Sequence, residues 1–134
     1  GMTTWLQVYE NNDHHHHFPH DGISVEEEEN DPTSLLNFYR KLTTLRNETP
    51  ALKHGDFGHL DLSPKRADLY TIWRGNTDEE QIFVIINFGL EAITVNLNTK
   101  NPDRLNIIMS EGFIMKDDTF SIAPLGYAIM SYSP

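Results

Sequence analysis

The sequence predicts a mainly β protein: an antiparallel Greek-key β-sandwich of about seven strands behind one N-terminal amphipathic α-helix. Three observations carry that expectation. From Gly55 onward the chain is a series of short β-branched and aromatic runs, each closed by Gly, Pro, Asn or Asp. No strand–helix–strand alternation occurs, which argues against a parallel sheet. Only residues 31–50 repeat apolar side chains at helical spacing.

Residues 1–30 form an acidic, His-rich N-terminal segment. Its later part, residues 9–30, combines a histidine run, Pro19, Gly22 and the glutamates Glu26 to Glu29 without apolar periodicity. Such a stretch buries too little apolar surface to offset its ordering entropy and reads as loop or partly disordered chain. Trp5, Leu6 and Val8 ahead of it are a small apolar patch.

The helix follows within residues 31–50. Asp31 suits an N-cap, because its carboxylate accepts from backbone N–H groups that lack an intrahelical partner, and Pro32 suits the first helical position. Leu35, Phe38, Tyr39, Leu42 and Leu45 make one apolar stripe. Arg40, Lys41 and Arg46 complement the dipole toward its C-terminal end, and Pro50 stops it. The expected span is Thr33 to Asn47. In residues 51–134 the strands expected are Gly55–Leu60, Asp68–Arg74, Gln81–Phe88, Ala92–Leu97, Leu105–Met109, Thr119–Ile122 and Tyr127–Tyr132. Gly75-Asn76, Asn101-Pro102 and Pro124-Leu125-Gly126 supply turns between them.

Composition excludes several roles. With 10 Lys+Arg against 20 Asp+Glu, the 134-residue chain carries a net charge of −10, a field that repels nucleic acid. No cysteine is present, so disulfides and thiolate metal sites are impossible. The longest apolar run, Ile82 to Ile86, is far short of the roughly 20 residues of a membrane helix, so no membrane partner is expected. No export signal opens the chain, Gly1 before Met2 resembles a cleavage scar, and the expected location is cytoplasmic.

Few residues invite chemistry. His14, His15, His16, His17 and His20 are the metal-like cluster, with Asp13 or Asp21 to complete it. Consecutive loop histidines lack the converging scaffold of a specific site, and a solvated loop is the plainer reading. Trp5, Tyr70 and Trp73 are candidates for stacking on sugar rings; the alternative is core or interface packing, since Tyr70 and Trp73 fall on opposite faces of one strand. Asp117-Asp118 and Glu26 to Glu29 are adjacent carboxylates in turn or loop sequence, where nothing apolar raises one pKa as a catalytic pair requires. The helix stripe Leu35, Phe38, Tyr39, Leu42 and Leu45 is the candidate interface.

Residues 31–52 read DPTSLLNFYRKLTTLRNETPAL, followed by His54-Gly55-Asp56-Phe57. This block resembles the join between barrel and C-terminal domain in the α-amylase superfamily of glycoside hydrolases, most closely its α-glucosidase and oligo-1,6-glucosidase branch. Downstream, LYTIWR, IFVIINFG and IAPLGYAIMSYS keep that family's strand order, and Trp5-Leu6-Gln7-Val8 is similar to the segment before its last barrel helix. The chain departs from the pattern at Val8-Tyr9-Glu10-Asn11-Asn12 and the histidine insertion. The resemblance implies a last barrel helix plus a C-terminal β-sandwich. In the family the catalytic aspartates and glutamate sit on barrel strands that precede this stretch, so it implies no catalytic residue here and no cofactor. Retaining hydrolysis needs two carboxyls about 5–5.5 Å apart in a cleft, and a (β/α)₈ barrel takes roughly 250 residues. The expected function is a non-catalytic structural accessory domain linked to α-glucan or oligosaccharide metabolism. The alternatives are a carbohydrate-binding module and a regulatory domain docking through its helix, as a homodimer or onto a barrel-containing paralogue.

Overall fold

The computed structural model describes residues 24–76, 78–98 and 101–134. The chain divides into two units, Gly1–Glu48 and Thr49–Pro134.

Two helices make up the described part of the first unit. The glutamate run expected as loop is helical: α1 spans Val25–Glu29. A capping box explains it. The Ser24 hydroxyl accepts from Glu27 N at 3.3 Å, while the Glu27 carboxylate accepts from Ser24 N at 3.3 Å. Glu26 and Glu28 sit beside Glu27 in the first turn, at the positive end of the helix dipole, which tolerates their like charge.

Helix α2 covers Leu35–Glu48, starting two residues later than the spacing predicts. Asp31 is not its N-cap. The Asp31 carboxylate instead accepts from Thr33 N (2.8 Å) and Thr33 Oγ1 (2.7 Å), closing a turn that contains Pro32. Ser34 takes over the cap, its hydroxyl accepting from Asn37 N at 3.2 Å. The two helices are joined by polar groups: Asn37 Nδ2 donates to the carbonyls of Glu28, Glu29 and Asp31, and the Glu28 carboxylate accepts from Leu36 N.

Pro50 ends α2 as expected and also opens a new element, the short helix α3 at Pro50–His54. Apart from a 3₁₀ turn at Pro102–Arg104, the rest of the second unit is one antiparallel sheet with strands β1 (Asp56–Gly58), β2 (Leu62–Ser63), β3 (Leu69–Gly75), β4 (Gln81–Asn87), β5 (Ile93–Leu97), β6 (Leu105–Lys116) and β7 (Thr119–Tyr132). Hydrogen-bonded order is β1-β3-β4-β7-β5-β2, with β6 also on β7. Consecutive β4 and β5 are thus separated by β7, the kind of non-local connection a Greek-key sandwich requires.

The sandwich arises by curling this single sheet, and β7 is where it curls. Thr119–Ile122 pair with β5, whereas Tyr127–Tyr132 pair with β4. The sequence around Pro124-Leu125-Gly126 reads as a turn between two strands; it is a kink inside one. Leu125 takes a positive φ of 57°, and β6 follows the bend through an irregularity at Gly112, φ 59°. A side chain on Gly126 would meet the carbonyls of Ala123, Glu111 and Gly112 within 3.0 Å, so only glycine lets the strands approach there. Inside the curl lies the core of Leu62, Phe83, Ile85, Ile93, Val95, Leu97, Leu105, Phe120, Ile122, Ala128, Met130 and Tyr132.

Asn87 is the polar group in that interior. It is fully buried at the end of β4. Its Nδ2 donates to Glu91 O (2.8 Å), Ile122 O (3.1 Å) and Ala123 O (3.0 Å), and its Oδ1 accepts from Gly89 N (2.8 Å). One side chain therefore fastens the β4–β5 loop to the kink in β7.

Candidate docking and carbohydrate surfaces

Strand β4 is apolar on both faces. Phe83 and Ile85 point into the core, while Ile82, Val84 and Ile86 occupy the outer face with Ile82 and its neighbour Ile129 nearly inaccessible. Strand register extends the outer face sideways. Tyr70, Ile86 and Tyr127 form one row, Ile72, Val84 and Ile129 the next, and Arg74, Ile82 and Ser131 the third. A sheet with one solvated face alternates apolar and polar residues; this one does not over these strands. Helix α3 packs on β3 and the start of β4, covering one end of the face. Arg74 borders it there. One guanidinium nitrogen donates to Gly55 O at 3.3 Å, while its buried Nε has no hydrogen-bond partner among the described residues.

The candidate aromatics separate. Tyr70 is on the outer face, 46% exposed. Trp73 lies on the other face and packs against the core, its indole edge filling the space where a Gly58 side chain would sit. These two do not form a platform. The residue that shares a row with Tyr70 is Tyr127, which single-strand spacing does not reveal because the two meet only across β4. Desolvation, with the Glu111 carboxylate adding to it, raises the Tyr127 phenol above its ordinary value.

Trp5 and His14, His15, His16, His17 and His20 lie outside the described residues. Among the described residues no group of three or more His, Asp or Glu is placed to hold a metal. Asp117 and Asp118 form the exposed tip of the β6–β7 hairpin, and Glu26 to Glu29 line α1. On α2, Leu35 and Tyr39 are 62% and 59% exposed, Phe38, Leu42 and Leu45 half-buried.

An open depression of about 450 Å³ is lined by His59, Asp61, Lys65, Arg66 and Thr71 among others. Its charges are largely spoken for: Arg66 grips Asp68 with Nε–Oδ1 3.0 Å and Nη2–Oδ2 2.7 Å, and Asp61 accepts from Asn98. The Arg66 hydrogen bond holds the Asp68 carboxyl below its ordinary value of 3.8. A depressed carboxyl favours the fold above its unfolded value, and that contribution fades as pH falls through the folded one. NMR titration should therefore place the Asp68 midpoint below 3.8, and Arg66→Gln should move it upward.

No family model matches the chain. The probable oligo-1,6-glucosidase 2 of Bacillus subtilis is 35% identical over 89 residues, 66% of this chain and 14% of that protein. The amino acid transporter heavy chain SLC3A2 of Mus musculus is 30% identical over 99 residues, 73% of this chain and 18% of that protein. Among solved structures, an isomaltulose synthase mutant from Erwinia rhapontici NX5 superposes with a TM-score of 0.68 at 26% identity, covering 83% of this chain and 20% of that one. The chain thus spans no more than about a fifth of these relatives.

Proposed function

The chain is related to α-amylase-superfamily glycosidases over their C-terminal region, and from this kinship we propose that it is a non-catalytic accessory domain linked to α-glucan or oligosaccharide metabolism. Its role is structural: the outer face of the sheet packs on a larger body and removes apolar surface from water on both sides. The observation that carries the reading is the two-faced apolar character of β4 and its neighbours. Ile82 and Ile129 are already buried, and Ile72, Val84 and Ile86 are half-buried, so covering each of the latter contributes less than the roughly 1.5–3 kcal/mol of a fully exposed side chain. Kinship extends to a protein named as a glucosidase and to one named as a transporter heavy chain, which supports a scaffold that different larger proteins share.

The stripe on α2 supports a second contact, since Leu35 and Tyr39 expose large apolar side chains. A second copy or a barrel-containing paralogue fits it. The row of Tyr70 and Tyr127 supports sugar stacking as the rival reading, and titration with maltose or isomaltose oligosaccharides decides it: shifts confined to that row would favour binding.

The purified chain is expected to give no turnover of a chromogenic α-glucoside and to bind a dye specific for apolar surface, with Ile86→Lys lowering the dye signal. Turnover that survives repurification and disappears when one carboxylate of this chain is neutralised overturns the proposal.

A further inference from the structure

We infer that strand β6 is a second interaction surface, an open sheet edge that pairs antiparallel with the β6 of a second copy of this chain. Among the described residues β6 bonds only to β7. The other two edges of the sheet, β1 and β2, have three and two residues, too short to template another strand. β6 has 12 residues, and Ile107, Ile108 and Ile114 on it are 46%, 39% and 69% exposed. Protein edges are ordinarily guarded by lysine, proline, a bulge or a covering segment, and of these the first stretch of β6 carries a bulge, between Ile107 and Met109. Leu105 to Ser110 carries no charge and no proline.

Its occupant follows from the sequence of the edge itself. Net charge −10 opposes the approach of two copies, and the neutral stretch Leu105–Ser110 adds no like charge at the contact itself. A two-fold axis between Ile107 and Ile108 sets Ile107 beside Ile108 of the other copy and Asn106 beside Met109. Leu105 then meets Ser110, and Arg104, the last residue of the 3₁₀ turn before β6, whose carbonyl accepts from Ser133 N on the β7 side, falls opposite Glu111. Two opposite-charge pairs thus close the ends of the apolar centre.

The faces agree as well, which an antiparallel pair about such an axis demands. Leu105 and Ser110 pair with Tyr132 and Ala128, both core residues, while Asn106 and Met109 pair with Ser131 and Ile129 on the outer face. This match depends on the bulge between Ile107 and Met109, which shifts the alternation by one residue. Without it the same register would set core-facing positions against outward ones. Arg104 already donates to the carbonyls of Ser133 and Pro134 through Nη1, and a guanidinium has further N–H groups for a carboxylate.

Sedimentation equilibrium on the full chain tests this over about a hundredfold range of concentration, enough to populate both species of a weak dimer. A reversible monomer–dimer equilibrium is expected. Arg104→Glu or Glu111→Arg alone should raise its dissociation constant roughly tenfold, because each reversal sets two like pairs opposite one another. The double reversal should restore it. Leu90→Lys, 92% exposed in the β4–β5 loop and outside both β6 and α2, should leave it unchanged. Hydrogen exchange over Leu105–Met109 should slow as concentration rises, a readout independent of how the variants fold. A monomer throughout the range, a dimer indifferent to the single reversals, or a double reversal as weak as the singles overturns the inference.

Discussion

Asn87→Asp should lower the stability of the sheet unit by about 3–5 kcal/mol at neutral pH, the penalty of leaving a buried charge uncompensated. The substitution is nearly isosteric, so the effect is electrostatic rather than steric. The amide nitrogen of Asn87 lies 2.8–3.1 Å from three carbonyl oxygens. A carboxylate oxygen in its place accepts where only donation is possible, with no cation beside it among the described contacts. To fold, the variant must keep that carboxyl protonated, so its pKa is raised in the folded state. The contribution is then fully present below the unfolded value and lost as pH rises through the folded one, so the variant recovers stability in acid. Urea melts at neutral and at acid pH measure both. A variant equally stable at both would show that the β4–β5 loop moves aside and that Asn87 does not fasten the kink.

Phe120→Ala should cost a similar amount, about 3–5 kcal/mol, for a different reason. Phe120 is fully buried, pairs with Val95 and Met115 across its two neighbouring strands, and sits 5.3 Å from the ring of Phe113. Truncation removes transfer energy and leaves a hollow between strands that cannot close, because Phe120 lies between partners fixed by hydrogen bonds on both sides. Ile114→Ala, one strand away and 69% exposed, is the control and should change stability by no more than about 0.5 kcal/mol. Equal effects in the two denaturation curves would mean that the core is not where it is described.

Strands β3, β4 and β5 are legible within a residue or so, because each is short, β-branched and bounded by a turn residue. The fold class follows from them. Two things are hidden from local pattern. Ser24 to Glu29 reads as charge-rich loop, yet helix formation there depends on the reciprocal bonds between Ser24 and Glu27 and on Asn37, eight or nine residues on, whose Nδ2 donates to its last carbonyls. Pro124-Leu125-Gly126 carries every mark of a turn, and β7 nevertheless continues, since pairing with β6 on one side and with β5 and then β4 on the other holds it extended. Turn chemistry sets the local dihedral angles; long-range pairing decides whether they reverse the chain or only bend it.

The surfaces show the same division. The α2 stripe is visible as a periodicity, and its outward display at Leu35 and Tyr39 is a fact of the structure. The outer row of Tyr70, Ile86 and Tyr127 is invisible, because strands far apart in the chain contribute one residue each. The open edge of β6 is likewise a property of topology. Nothing in LNIIMS states which of its two sides another strand will occupy.

Because β7 serves β5 with its first limb and β4 with its second, the sheet has no seam. Detaching either limb strips hydrogen bonds from β6 and from β5 or β4 while opening the one core that both halves share, so neither half of the curl is expected to survive as a smaller folded piece. A break in the chain anywhere within Thr119–Tyr132 is therefore expected to unfold both halves together, which makes the kinked strand a lock on the whole curl.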